Sequence, residues 1–128
     1  MYKKTVLCVE KDGGRGKARC AALESAGYKV IVAADVAEAL KIFVSQTIDA
    51  VLLDSSYGTG KKDSPGALMG NIRPHVPIIV MRGDHAQVRT GPFADVFRKR
   101  DGTRALLRIL ENVVGNSSTG SRGKSAGQ

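Results

Sequence analysis

No stretch of the chain is apolar for long enough to cross a bilayer. The strongest runs, Thr5 to Val9 and Val76 to Met81, fall far short of the roughly 20 residues that a spanning helix needs. Four apolar residues after Met1-Tyr2-Lys3-Lys4 do not make a secretory h-region either. A soluble cytoplasmic protein with no membrane partner is the expectation. Cysteine is equally sparse. Cys8 lies in an apolar strand-like run and Cys20 in a helix-like one; without CxxC spacing, a histidine cluster or a secretory context, they read as buried reduced thiols. His75 and His85 have no partner at ligand or triad spacing and read as loop residues. A phosphate-binding loop is missing as well. Around Gly13-Gly14-Arg15-Gly16-Lys17, the GxxxxGK[ST] pattern fails twice, with Lys11 in place of its first glycine and Ala18 in place of its hydroxyl residue; Gly58 to Lys62 fails similarly. Nothing here suggests an enzyme.

What the chain does have is a regular alternation of short apolar runs with helix-period segments. Thr5 to Val9 reads as a first strand, and Gly14 to Ala26 as a helix stopped by Gly27. Lys29 to Ala33 reads as a second strand. Asp35-Val36-Ala37-Glu38 has the capping-box spacing and opens a helix whose apolar stripe is Ala39, Leu40 and Phe43. A third strand ends at Asp54. A glycine- and lysine-rich loop leads to a weak helix around Ala67 to Arg73, broken by Gly70, before Pro74 and Pro77 introduce the apolar run Ile78 to Met81. A short strand from Asp95 to Phe97 precedes a helix over about Thr103 to Val114, with Ala105, Leu106, Ile109, Leu110 and Val113 on one face. Five strands alternating with helices predict an α/β doubly wound parallel sheet. With 128 residues there is room for one such domain, residues 1–114. The remainder, 115–128, is rich in glycine, serine and basic residues and predicts a flexible tail.

The segment Ala50-Val51-Leu52-Leu53-Asp54 carries the chemistry. Its unbroken apolar run suits a strand buried on both faces, and that puts Asp54 at the C-terminal end, where an open parallel sheet presents its functional groups. Asp54 is therefore a candidate phosphoryl acceptor. Taken alone, it could equally cap the loop that follows.

In order, Val6-Leu7-Cys8-Val9-Glu10, Ala26-Gly27-Tyr28-Lys29-Val30, Glu38-Ala39-Leu40, Asp49-Ala50-Val51-Leu52-Leu53-Asp54, Val76-Pro77-Ile78-Ile79-Val80 and Phe97-Arg98-Lys99 resemble the receiver domain of bacterial two-component response regulators, over about Lys3 to Val114. The resemblance implies a five-stranded flavodoxin-like sheet, a phosphoryl group taken from a histidine kinase, and a partner-binding surface that changes with phosphorylation. It also implies a pocket in which acids after the first strand hold Mg²⁺ beside the acceptor, giving the metal set Glu10, Asp12 and Asp54, with Lys99 pairing with the acceptor or its phosphoryl oxygens.

The pocket departs from the pattern. Lys11 stands where the second acid is usual, with Asp12 one residue on; Arg82 stands in place of a Thr or Ser hydroxyl, although Gly83 keeps the small residue after it. Val96 replaces an aromatic residue, Arg100 replaces a proline and Gly58 another, and the span from Pro77 to Lys99, interrupted by Gly83, Gly91 and Pro92, is short. A shortened or lost fourth helix is expected. A cation about 4 Å from a carboxylate is worth roughly 4 kcal/mol at an effective dielectric near 20, so Lys11, Arg82 and Lys99 facing Asp54, Glu10 and Asp12 predict weak or absent Mg²⁺ binding. In the alternative, Lys11 points to solvent and Asp12 takes the second acidic place.

The charge balance is basic, with 20 Lys and Arg against 12 Asp and Glu and a net charge of +8. Lys61, Lys62, Arg73, Arg89, Arg98, Lys99, Arg100, Arg104 and Arg108 form no single run, but those from Arg98 to Arg108 can share a face that attracts an acidic protein or a nucleic acid. No aromatic residues are interleaved with them to stack on bases, and solvated surface charge is the simpler reading. Arg15 and Arg19 fall on the sheet side of the first helix in the receiver pattern, and the expectation is that they pack their stems and send their heads to water. The sequence thus predicts a receiver-like signalling module with a degenerate acceptor pocket, acting by contact with a histidine kinase or downstream effector and possible as a homodimer. The alternatives are a working Mg²⁺-dependent phosphorelay receiver phosphorylated on Asp54, and a nucleic-acid-binding regulator.

Overall fold

The computed structural model describes residues 3–10, 13–57, 64–83 and 94–115. Five parallel strands, β1 (Thr5–Val9), β2 (Lys29–Ala33), β3 (Ala50–Asp54), β4 (Ile78–Arg82) and β5 (Asp95–Arg98), form one sheet in the order β2-β1-β3-β4-β5. The helices are α1 (Gly13–Ser25), α2 (Val36–Ser45), α3 (Pro65–Ile72) and α4 (Gly102–Val113). The first, second and third strands match the expected runs, and the last two each extend one residue further. This is the doubly wound flavodoxin-like arrangement, with its strand order reversing between β1 and β3. The reversal leaves a crevice beyond the carboxyl ends of those strands, and Glu10 and Asp54 both lie at that end.

The sheet separates two aliphatic cores. On one face, Leu7, Val9, Val51, Leu53 and Ile78 pack with Ala39 and Phe43 of α2 and Met69 of α3. On the other, Val6, Cys8, Leu52, Ile79, Met81 and Phe97 pack with Leu23 of α1 and Leu106 and Leu110 of α4. The central strands therefore need apolar side chains on both faces, which is why β3 shows no alternation.

Local chemistry sets the helix ends. α1 closes in a Schellman turn: Tyr28 N–H donates to Leu23 O and Gly27 N–H to Glu24 O, and Gly27 takes φ +102°, which favours glycine. Asp35 caps α2 by accepting from Glu38 N–H at 2.8 Å, and the Glu38 carboxylate reaches back to Ala34 N–H at 3.2 Å. α3 begins two residues before its expected start, because the Ser64 hydroxyl accepts from Ala67 N–H and Pro65 occupies the first turn.

Arg73 is not the solvated surface charge that the sequence suggested. Its guanidinium donates to the carbonyls of Phe43, Val44 and Gln46, satisfying the end of α2, and lies 5.6 Å from the Phe43 ring centroid. The described residues hold no helix between β4 and β5; the expectation of a shortened or lost fourth helix concerns residues 84–93, outside the described residues. The expected tail, 115–128, lies outside them except for Gly115.

Candidate functional site

Val9 pairs with Leu53 across β1 and β3, so the next residues, Glu10 and Asp54, stand together at the carboxyl edge. Each carboxylate is already held by a cation. Lys99, just past β5, places its ammonium 2.6 Å from Asp54 Oδ2, while Asp54 Oδ1 accepts from Ser56 N–H at 2.9 Å in the turn Ser55–Tyr57. Burial pushes the Asp54 carboxyl up, but the hydrogen bonds from Lys99 and the Ser56 backbone outweigh it and hold the group below the ordinary carboxylate range.

Glu10 is paired with a residue for which the sequence analysis had another role. Arg19, on α1, donates through one guanidinium nitrogen to both Glu10 oxygens, at 2.8 and 2.9 Å. The two side chains are only 9% and 4% exposed, so the arginine head turns inward, contrary to the expectation that it would snorkel to water. The helix backbone makes room for this pair at Gly16, one turn before Arg19, where a Cβ would sit 3.0 to 3.1 Å from the Glu10 carboxyl atoms. The signal in the sequence was an arginine in the sheet-facing stripe Gly16, Arg19, Cys20, Leu23 of a helix that follows an acid at a strand end.

Arg82 ends β4 opposite Arg98 of β5, one residue beyond Met81, which pairs with Asp54. Its Nε is buried and meets no hydrogen-bond acceptor. Lys11 and Asp12, named with this pocket, lie outside the described residues. The structure thus brings Asp54 and Lys99 into contact, sets Arg82 at the neighbouring strand end, and gives Glu10 to Arg19. Among the described residues, no group of three His, Cys, Asp or Glu side chains is placed to hold a metal ion.

Nearby, Cys8 on β1 and Cys20 on α1 are free thiols, the first buried and the second half-buried. Their shared hydrogen bond, together with burial, pushes the Cys8 thiol well up, while the same bond pulls Cys20 down. Arg98, Arg104 and Arg108 are exposed on β5 and α4, and Arg98 pairs with Asp101 at 3.2 Å. No helix among the described residues is long and apolar enough to cross a membrane.

No family model matches the sequence, nor does any curated protein. Solved structures do resemble it. A response regulator receiver domain protein (CheY-like) from Methanospirillum hungatei JF-1 is 21% identical, with 91% of this chain and 97% of the other covered and a TM-score of 0.75. A response regulator receiver domain protein from Clostridium thermocellum is 20% identical over 90% and 97% of the two chains, with a TM-score of 0.71. NtrX from Brucella abortus, 19% identical with a TM-score of 0.75, aligns with 91% of this chain but only 28% of its own. The chain has the receiver fold.

Proposed function

We propose that this chain is a receiver-like signalling module whose acceptor pocket is neutralised from within, and that it acts by contact with a partner protein, either a histidine kinase or a downstream effector. The observation that carries this reading is the buried Arg19–Glu10 pair. A receiver pocket recruits Mg²⁺ through acids left free for the ion; here the Arg19 guanidinium already supplies the countercharge to the acid after β1. The donor set fits Mg²⁺ poorly. An octahedral ion that keeps several waters needs free carboxylate lone pairs, and winning Glu10 from Arg19 would leave a guanidinium buried without its partner, a costly exchange.

The intact Lys99–Asp54 contact favours a second reading, in which Asp54 accepts a phosphoryl group with Glu10 and Asp12 as metal acids. Calorimetric titration with MgCl₂ separates the two. Wild type is expected to show no saturable heat at millimolar Mg²⁺, whereas Arg19→Met, which frees Glu10, binds measurably. Saturable binding to wild type at or below about a millimolar would favour the phosphorelay reading.

A further inference from the structure

Three ion pairs stand at the carboxyl ends of β1, β3 and β5 among the described residues. Asp54 is matched by Lys99, Glu10 by Arg19 and Arg98 by Asp101. The Arg82 guanidinium has no such partner, and its Nε–H is buried without an acceptor. A buried charged donor left unpaired is costly and uncommon in folded proteins. The next residue, Gly83, opens onto free space, since a Cβ there would meet nothing within 4 Å. The buried Nε–H belongs to a half-buried guanidinium at the strand end, and a guanidinium is suited to a planar or tetrahedral oxyanion, which it binds through parallel hydrogen bonds.

We propose that Arg82 forms a non-covalent oxyanion site at the end of β4, taking a carboxylate or a phosphoryl group. The pocket edge is then selective for anions, opposite in sign to a metal site. A partner that presents an acidic side chain there would gain a buried, charge-assisted contact, while a free anion would compete for the same donors. The site does not depend on phosphorylation of Asp54, because the Arg82 donor is unpaired while Asp54 is satisfied by Lys99 and Ser56.

The test is carried out on the ¹⁵N-labelled full chain, without Mg²⁺ or a phosphodonor, so that its outcome is separate from that of any acyl-phosphate assay. The Arg82 Nε–Hε resonance is followed while sodium phosphate or sodium acetate replaces sodium chloride at constant ionic strength. A saturable shift of that resonance is expected, with phosphate alone, acetate alone or both, and the active probe identifies the preferred oxyanion. Arg82→Gln should abolish saturable binding, read from backbone resonances. Arg82→Lys, which keeps the charge and loses the fork, should weaken it at least about tenfold. The Arg82 resonance in wild type decides the matter even if a variant folds poorly. A shift that stays linear with both probes, or saturable binding that persists in Arg82→Gln, would overturn the proposal.

Discussion

Replacing Arg19 with methionine keeps most of the stem volume and removes only the guanidinium. In the structure this strips Glu10 of the donor that bonds both its oxygens, in surroundings where its side chain is 4% exposed. Coulomb attraction at about 4 Å and an effective dielectric near 20 is roughly 4 kcal/mol, and breaking one side of a buried ion pair typically costs about 3–5 kcal/mol. For a domain of this size, where each kcal/mol moves the melting temperature by about 4 °C, Arg19→Met should lose about 12–20 °C. The double variant Arg19→Met/Glu10→Leu removes both charges together and should recover most of that loss, because a buried pair replaced by apolar residues is often neutral or better. Thermal and urea unfolding followed by circular dichroism measure both, the urea slope reporting whether the unfolded state has changed. If Arg19→Met melts within about 2 °C of wild type, Glu10 is not a buried anion that depends on Arg19, and the neutralised-pocket argument loses its main support.

Three further outcomes follow from the same geometry. Gly16→Ala should destabilise by about 1–3 kcal/mol despite alanine's better helix propensity, because its Cβ would press on a carboxylate that Arg19 holds in place; the penalty should shrink in the Arg19→Met background, where the carboxylate can yield. The Asp54 carboxyl is depressed by Lys99 and Ser56, so its stabilising contribution is present above about pH 4 and is lost as pH falls through the depressed value; Asp54→Asn should flatten that part of an acid-unfolding profile, and an unchanged profile would refute the assignment. Iodoacetamide at about pH 8 should alkylate Cys20 and spare Cys8 until the protein is unfolded, since Cys20 is half-buried and pulled down while Cys8 is fully buried and pushed up; peptide mass mapping that finds Cys8 modified first would contradict this.

The strands were legible because a doubly wound sheet needs apolar residues on both faces, and Val6 to Val9, Ala50 to Leu53 and Ile78 to Met81 satisfy that requirement with no competing periodicity. Gly27 and Asp35 were legible for the same kind of reason, as each residue type has one strong positional use at a helix end. Asp54 and Lys99 were named together from a resemblance that fixes strand ends; the Lys99 ammonium lies 2.6 Å from Asp54 Oδ2. The partner of Glu10 was not read. Charge in a sequence signals exposure by default, and only a three-dimensional placement shows that the sheet-facing position of Arg19 meets a strand-end acid above a glycine. Arg73 was misread for the same reason: its role depends on three carbonyls about 30 residues away, a separation at which composition carries no information. The start of α3 was read late because Ser64-Pro65 looks like loop chemistry until its hydroxyl is seen to cap the helix.

The central claim is that Arg19 occupies the acid, Glu10, that would otherwise help gather Mg²⁺ and a phosphoryl group around Asp54. It is tested most directly by incubating the full chain with acetyl phosphate and MgCl₂ and weighing the intact protein. With Glu10 held by Arg19 and Asp54 by Lys99, and with Arg82 in place of a hydroxyl, little stabilises the charge on the transferring group, and the account predicts little or no phosphoryl mass increment. A stoichiometric increment that disappears in Asp54→Ala would contradict it and make this chain a working phosphoryl acceptor.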